Sequence, residues 1–361
     1  MTTILNLPDE LLFMICEKLS NVVDIVNLSF CSKRLNFICK GSDITNSNVY
    51  KVNNVSFYKT IHLALDFNKR IKLKLNLYCY ENVIDVSKLS RVHNLNLSYC
   101  FNISDVSMLG NVHTLNLSGC INVTDVSKLG NVHTLDISYC EGITDVSMLG
   151  NVHTLDISMC TNITDVSKLG NIHTLDLSGC KNVTDVSMLG NVYSLRLSHC
   201  NNVTDVSNLG NVHTLNLSNC FALTDVSMLG NVRKLNLSHC LSLKDVSKLG
   251  NVHNLNLSYC KISDVSKLEN VHTLNLSFSN YISDVSNLGK VHTLDLSDCI
   301  NVTDVSMLGK VHYLDLSHCI GVTDVSNLSR VHTLNLYKCK NVKDVSMLGN
   351  SNKYNLFTRI V

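Results

Sequence analysis

His133, Asp136 and Ser138 bring together an imidazole, a carboxylate and a hydroxyl within six residues, and close copies of the group recur about every 20 residues. Those are the parts of a nucleophilic triad, in which the imidazole takes the serine proton and the carboxylate orients the imidazole. The 16 cysteines and 15 histidines would equally suit metal ligation or a disulfide framework. Spacing decides among these chemistries. Catalysis needs one asymmetric, desolvated constellation. Here eleven histidines, from His93 to His332, occupy one position of a repeated pattern, with Tyr193 and Arg233 interrupting the series. Zinc pairs its ligands within about four residues of each other. Twelve cysteines instead recur once per repeat, from Cys100 to Cys260 and from Cys299 to Cys339, with Tyr80 and Ser279 filling the slot elsewhere. Parallel stacked side chains and a reducing cell interior disfavour disulfides. The spacing therefore predicts a buried ladder of thiols with weak hydrogen bonds to turn backbone. Cys16, Cys31, Cys39 and Cys79 lie outside it and suggest no pairing. No catalytic residue, metal or cofactor is expected, and the chain does not read as an enzyme.

The elements that position these residues follow from the repeat. The triplet Asp-Val-Ser occurs fourteen times, from Asp85 to Asp344, at a period of 20 with one step of 19 between Asp245 and Asp264. A fixed period in this range with this apolar pattern is the signature of a leucine-rich repeat. The fold class is thus α/β, a solenoid of about 14 rungs with parallel strands on its concave face. In the rung from Val132 to Asn151, Leu135 and Ile137 alternate with polar neighbours, as in a short half-buried strand. Val132, Ile143, Val146 and Leu149 point inward from the other sides of the coil. One rung cannot bury these side chains, but stacked rungs share a continuous core. Parallel strands ~4.8 Å apart would make a curved rod roughly 60 Å long. The aspartate of each Asp-Val-Ser, or the threonine before it, is expected to cap a single 3₁₀ turn. Eleven of the 16 glycines fall in one slot, from Gly110 to Gly349, where a left-handed residue is expected to close that turn. Ser90, Glu269 and Ser329 share the slot, so positive φ there is favoured and not obligatory.

Positions that vary among otherwise copied rungs mark a candidate binding surface. Before the cysteine slot stand Tyr99, Tyr139, Met159, His199, His239, Tyr259, Phe278 and His318, and after it stand Phe101 and Phe221. Aromatics flanking the strand edge of a fixed scaffold suit a protein partner, although simple drift would also produce variation. On the strand, Asp136, Asp156 and Asp176 form an acidic run followed by Arg196. Stacked like charges are costly, so a basic partner would relieve them. Histidines stacked on every rung would repel when protonated, so acid is expected to loosen the coil. The residue after Asp-Val-Ser alternates through Lys88, Met108, Lys128, Met148, Lys168 and Met188, which implies duplication of a 40-residue unit.

Composition limits the partners. With 30 basic and 29 acidic side chains the formal charge is +1. That removes the long-range attraction to phosphate on which general nucleic-acid binding relies, so a protein partner is expected. The first apolar segment contains Asp9, Glu10, Glu17 and Lys18 and reads neither as a signal peptide nor as a membrane span. The protein is therefore expected in the cytoplasm or nucleus, where the many glycosylation sequons carry no meaning.

Residues 1–40 stand outside the repeat. Pro8, the only proline, fits a first helical turn. Leu7, Leu11, Leu12, Ile15 and Leu19 follow helical spacing, and Val22–Leu28 and Leu35–Ile38 read as two further short helices. So short a segment lacks a robust core, so its apolar face would either seek a partner or cap the first rung. The opening Leu7-Pro8-Asp9-Glu10-Leu11, then Leu19, Asp24-Ile25 and Cys31-Ser32-Lys33-Arg34-Leu35, resembles the F-box, with Leu35 where the family carries tryptophan. Together with the repeats, the chain resembles an F-box/leucine-rich-repeat protein. Its Asn- and Lys-rich, nearly proline-free wording resembles such proteins of giant amoeba-infecting DNA viruses of the mimivirus type. The resemblance implies a substrate-recognition subunit of a ubiquitin ligase, bound through a Skp-family adaptor to a cullin. Leu7, Pro8, Leu11, Leu12, Ile15, Leu19 and Leu28 would face the adaptor, and the repeats would hold an unknown target protein. The alternative is a stand-alone interaction scaffold whose helices cap the solenoid. The expected organisation is an F-box over 1–40, a join and degenerate first repeat over 41–70, repeats over 71–350 and a cap over 351–361. Ile61, Leu63 and Leu65 in the join, and Tyr354-Asn355-Leu356 in the cap, are further candidate strands.

Overall fold

A computed structural model describes residues 74–348, together with the strand backbones Val49–Lys51 and Tyr354–Asn355. The helices expected over 1–40, and Ile61, Leu63 and Leu65, lie outside the described residues. The chain divides into two compact units, Met1–Cys160 and Thr161–Val361. In the first, the strands Val49–Lys51, Lys74–Asn76, Asn94–Asn96, Thr114–Asn116, Thr134–Asp136 and Thr154–Asp156 pair parallel in chain order. The second orders its strands the same way, from Thr174–Asp176 and Ser194–Arg196 to Thr333–Asn335 and Tyr354–Asn355. The capping strand expected at the C-terminal end thus forms over two residues, with Tyr354 opposite Leu334. Register is strict: Leu115 faces Leu135 and Leu294 faces Leu314. Any slip would turn the core leucines outward.

Each rung alternates a three-residue strand with one helical turn, which is the leucine-rich-repeat solenoid that the period implies. In the rung from Val132, the side chains of Val132, Leu135, Ile137, Cys140, Ile143, Val146 and Leu149 are each 2% exposed or less. The turn Ser147–Leu149 is a 3₁₀ helix, as expected. Its partner in the 19-residue rung is looser: residues 266–267 form only a turn, though Leu268 N–H still donates to the Val265 carbonyl at 3.0 Å.

Two expectations about these turns need correcting. The capping group is the aspartate, and it acts one residue early. Asp125 Oδ1 accepts the Ser127 N–H at 2.8 Å, an Asx turn leading into the helix Ser127–Leu129, whose own N-cap is Val126. The backbone and hydroxyl of Ser127 hold the Asp125 carboxyl below its ordinary pKa. The glycine slot is not left-handed: Gly110 has φ −60° and Gly309 has φ −61°. Glycine is favoured there for close approach, although Ser90 and Ser329 take the same backbone conformation at φ −57° and −59°. A Cβ on Gly110 would stand 2.3 Å from the Lys128 carbonyl oxygen of the next rung, and one on Gly309 would stand 2.4 Å from that of Asn327. The left-handed slot is instead the variable residue before the cysteine. Tyr99, Tyr139, Met159, His199 and Phe278 all have φ between 59° and 62°, and Gly119 and Gly179 occupy the same slot at 71° and 75°.

Candidate protein-binding surface

From Asn76 to Asn335, a side-chain hydrogen bond sets up the residue before the cysteine slot on every rung but that of Arg196, where His199 is left-handed without it. Over the same rungs the third strand residue is Asn or Asp except at Arg196. Its Oδ1 accepts the N–H two residues on, as from Ser98 to Asn96 at 2.9 Å and from Ser138 to Asp136 at 3.0 Å. That Asx turn ends the strand and delivers the next residue into the left-handed region. There its N–H donates to the next rung, as Tyr99 does to the Ser118 carbonyl at 2.7 Å. A non-glycine residue in this conformation costs ~1–2 kcal/mol, and these paired bonds hold it.

The cysteine that follows turns inward and locks the corner. The Cys100, Cys140 and Cys220 thiols donate to the carbonyls of Leu77, Leu117 and Leu197 at 3.1, 3.2 and 3.1 Å. Where Ser279 replaces cysteine, its hydroxyl donates to Leu257 at 3.2 Å, preserving the bond. Burial pushes the Cys120 thiol up to about 12 and the Cys220 thiol up to about 11. The described cysteines are thiols, not disulfides. The ladder expected from their spacing is therefore present, with the acceptors at the strand ends of the preceding rung.

The candidate triad is not assembled. His133 Nδ1 lies 3.2 Å from Thr134 Oγ1, and its ring stacks on His113 and His153 at 4.7 and 4.6 Å. The Ser138 hydroxyl donates to Asp136 Oδ1 at 2.7 Å. The serine proton thus meets the carboxylate, and the imidazole meets its own neighbour. Among the described residues, no group of three histidine, cysteine or acidic side chains is placed to hold a metal ion.

The variable residues divide between two aromatic clusters and scattered positions. In the first unit, Tyr99 meets Tyr78 at 5.7 Å and Phe101 at 6.2 Å, both edge to face. A Cβ on Gly119 would lie 2.8 Å from the Tyr99 ring, so the small residue makes room for it. In the second unit, His239, Tyr259 and Phe278 stack face to face at 4.1 and 4.4 Å. Tyr259 and Phe278 nevertheless stay 39% and 41% exposed. His318 lies 3.7 Å from Asp298 and meets Tyr337 edge-on at 5.6 Å. Tyr139, Met159, His199 and Phe221 are exposed but belong to neither cluster. Arg196 pairs with Asp176 at 3.5 Å, and Asn116 Nδ2 donates to Asp136 Oδ2 at 2.9 Å. The acidic run is therefore relieved in part from within the chain. Tyr78 and Tyr337 join the candidate surface as residues that the sequence reasoning missed. Both occupy the slot that holds serine in every other described rung, and that departure was the available signal. The adaptor-facing candidates Leu7, Pro8, Leu11, Leu12, Ile15, Leu19 and Leu28 lie outside the described residues.

Comparison with known proteins adds the remaining part. The F-box domain family matches residues 4–47. No curated protein matches the chain. Among solved structures, an internalin (inlF) from Listeria monocytogenes is similar at 18% identity and a TM-score of 0.54, covering 98% of each chain. The mouse RP105/MD-1 complex is similar at 18% identity and 0.50, over 74% of this chain and 55% of that one. The TLR13–ssRNA13 complex is similar at 18% and 0.53, over 80% and 51%. These likenesses concern the fold. A match to the F-box domain family at residues 4–47 thus stands ahead of a leucine-rich-repeat fold.

Proposed function

We propose that this chain is the substrate-recognition subunit of a Skp-cullin-F-box type ubiquitin ligase. The F-box match ahead of a repeat scaffold carries the reading. Both parts are interaction modules, so catalysis falls to other subunits. In this reading residues 1–40 dock the adaptor, 41–70 join it to the repeats, 71–350 hold the target and 351–361 cap the array. Leu7, Pro8, Leu11, Leu12, Ile15, Leu19 and Leu28 face the adaptor and, through it, a cullin. The target lies against the margin after the strands, where Tyr99, Phe101, Tyr259 and Phe278 offer exposed rings. Rigid aromatics of this kind dominate protein interfaces. The protein acts in the cytoplasm or nucleus, and the Asn-rich, nearly proline-free composition supports a giant-virus source and hence a host cell's ligase. Among the described residues, no helix is long and apolar enough to cross a membrane.

Co-precipitation with a Skp-family adaptor tests the proposal. The full chain captures the adaptor, and Leu11→Asp abolishes capture while the repeats still melt normally. Failure of the unaltered chain to capture any Skp-family adaptor overturns the proposal and leaves the stand-alone scaffold. For the target face, Tyr259→Gly with Phe278→Gly uses the residue that this slot already holds at Gly119 and Gly179. The fold survives, adaptor capture persists, and target capture falls.

A further inference from the structure

The last rungs carry a feature on the side opposite the strands. A groove of about 710 Å³ runs along their helical turns. Lys290, Lys310 and Arg330 stand along it on successive rungs, with Met307 and Met347 beside them and Glu269 at one end. The three bases are exposed, the Lys290 side chain to 70%. All three occupy one slot of the repeat. In nine successive earlier rungs, from Asn111 to Asn251 and then Asn270, that slot holds asparagine. Arg91 carries a single cation in this slot, but only along this groove do cations fill it three times running. Rungs about 5 Å apart place these like charges close together. Glu269 lies 3.5 Å from Lys290 and offsets one of them. It leaves Lys310 and Arg330 for a partner.

We propose that this groove binds an acidic, extended segment of a protein partner. Charge complementarity sets the sign of the ligand. The row of bases matches carboxylates spaced along an extended chain. Met307 and Met347 are 62% and 65% exposed and supply adaptable apolar contacts for the intervening side chains. Nucleic acid fits less well. Single strands need aromatic platforms on which bases stack, and no aromatic residue lines the groove. The groove shares no residue with the aromatic clusters at the strand margin.

Fluorescence anisotropy with the full chain tests this. The probe is a labelled 12-residue peptide of alternating glutamate and leucine. The controls are a lysine–leucine peptide and oligothymidylate of matching charge. The glutamate peptide binds, and added salt weakens the binding. Combining Lys310→Asn with Arg330→Asn weakens it about tenfold, as loss of two rim charges should. Both substitutions restore the residue that other rungs carry, so the fold is kept. Met307→Asn, also a residue found in its own slot at Asn208, Asn287 and Asn327, weakens binding about threefold. The proposal is overturned if the glutamate peptide fails to bind. It is equally overturned if the double variant binds that peptide as the parent does, or if oligothymidylate binds as tightly.

Discussion

In the second unit, two columns of side chains follow the same period and have opposite characters. Cys200, Cys220, Cys240 and Cys260 are 1% exposed or less, and each thiol donates inward to a strand-end carbonyl. His253, His272, His292 and His312 line up along the surface, ring on ring at 4.6 Å each. Both columns consist of residues with well-known chemistry, and the array suppresses that chemistry in both. For the cysteines the cause is burial, which removes the thiolate that a nucleophile or metal ligand requires. For the histidines it is repetition: each of these four imidazoles has another imidazole as its neighbour, so none of these rungs provides an asymmetric site. Reactive residue types copied along a solenoid are thus first a packing device, whether they face in or out.

The contrast is broken most severely by charging the buried column. Cys220→Asp places a carboxylate where the thiol met the Leu197 carbonyl, so an acceptor faces an acceptor in an apolar wall. An unpaired buried charge costs about 3–5 kcal/mol. Urea unfolding should show a loss of that size, or a separate early transition confined to neighbouring rungs. The same exchange in the exposed column, His292→Asp, should cost less than about 1 kcal/mol. Equal losses at the two sites would end the distinction.

The solenoid was legible in the sequence because its signal is repeated fourteen times. Leucine spacing, the Asp-Val-Ser turn and the thiol ladder all follow from which side chain must be buried. Backbone conformation at two slots was not legible. Glycine at Gly110 suggested positive φ, whereas the structure uses it for contact with Lys128 of the next rung, a relation between rungs that no single rung reveals. Conversely, Tyr139 and Met159 carry no sign of the left-handed region they occupy, because bonds from neighbouring residues impose it. Gly119, Gly179, Asn219 and Asp298 hinted at that slot. The candidate surface was legible as a list of exposed aromatics. Their grouping was not, since stacking of His239, Tyr259 and Phe278 depends on successive rungs aligning in space.

A smaller effect sharpens the contrast through pH. Partial burial, then the charges of His253 and His292, lower the pKa of His272 below its ordinary value of 6.5. The folded chain therefore binds this proton less readily than the unfolded chain. The stability tied to the neutral form of His272 is full above the unfolded value, and it declines as pH falls through about 6.5 and below. The melting midpoint should be lower at pH 5.5 than at pH 7.5. His272→Tyr should narrow that gap, since Tyr193 already stacks between His173 and His213 at 4.8 and 4.4 Å. The Asx-turn carboxyls do not confuse this reading. Their pKa values are lowered from 3.8, so their contribution fades only at still lower pH. An unchanged midpoint between the two pH values would show that the stacked rings shed no stability on protonation.

The smallest expected effect isolates the thiol itself. Cys220→Ser exchanges sulfur for oxygen in a slot where Ser279 already donates to Leu257 at 3.2 Å. The hydroxyl can keep the bond to Leu197, so no polar group is left unsatisfied. What is lost is volume and apolar character in a close-packed wall, which costs about 1 kcal/mol or less when the hydrogen bond survives. Cys220→Ala removes the donor as well and leaves a small void, so it should cost more than serine. If alanine proves the milder change, apolar packing alone holds the column, and the bond to the strand-end carbonyl contributes nothing net. If serine is milder, the bond is the reason that cysteine, the one small residue both apolar enough to bury and able to donate, recurs on rung after rung.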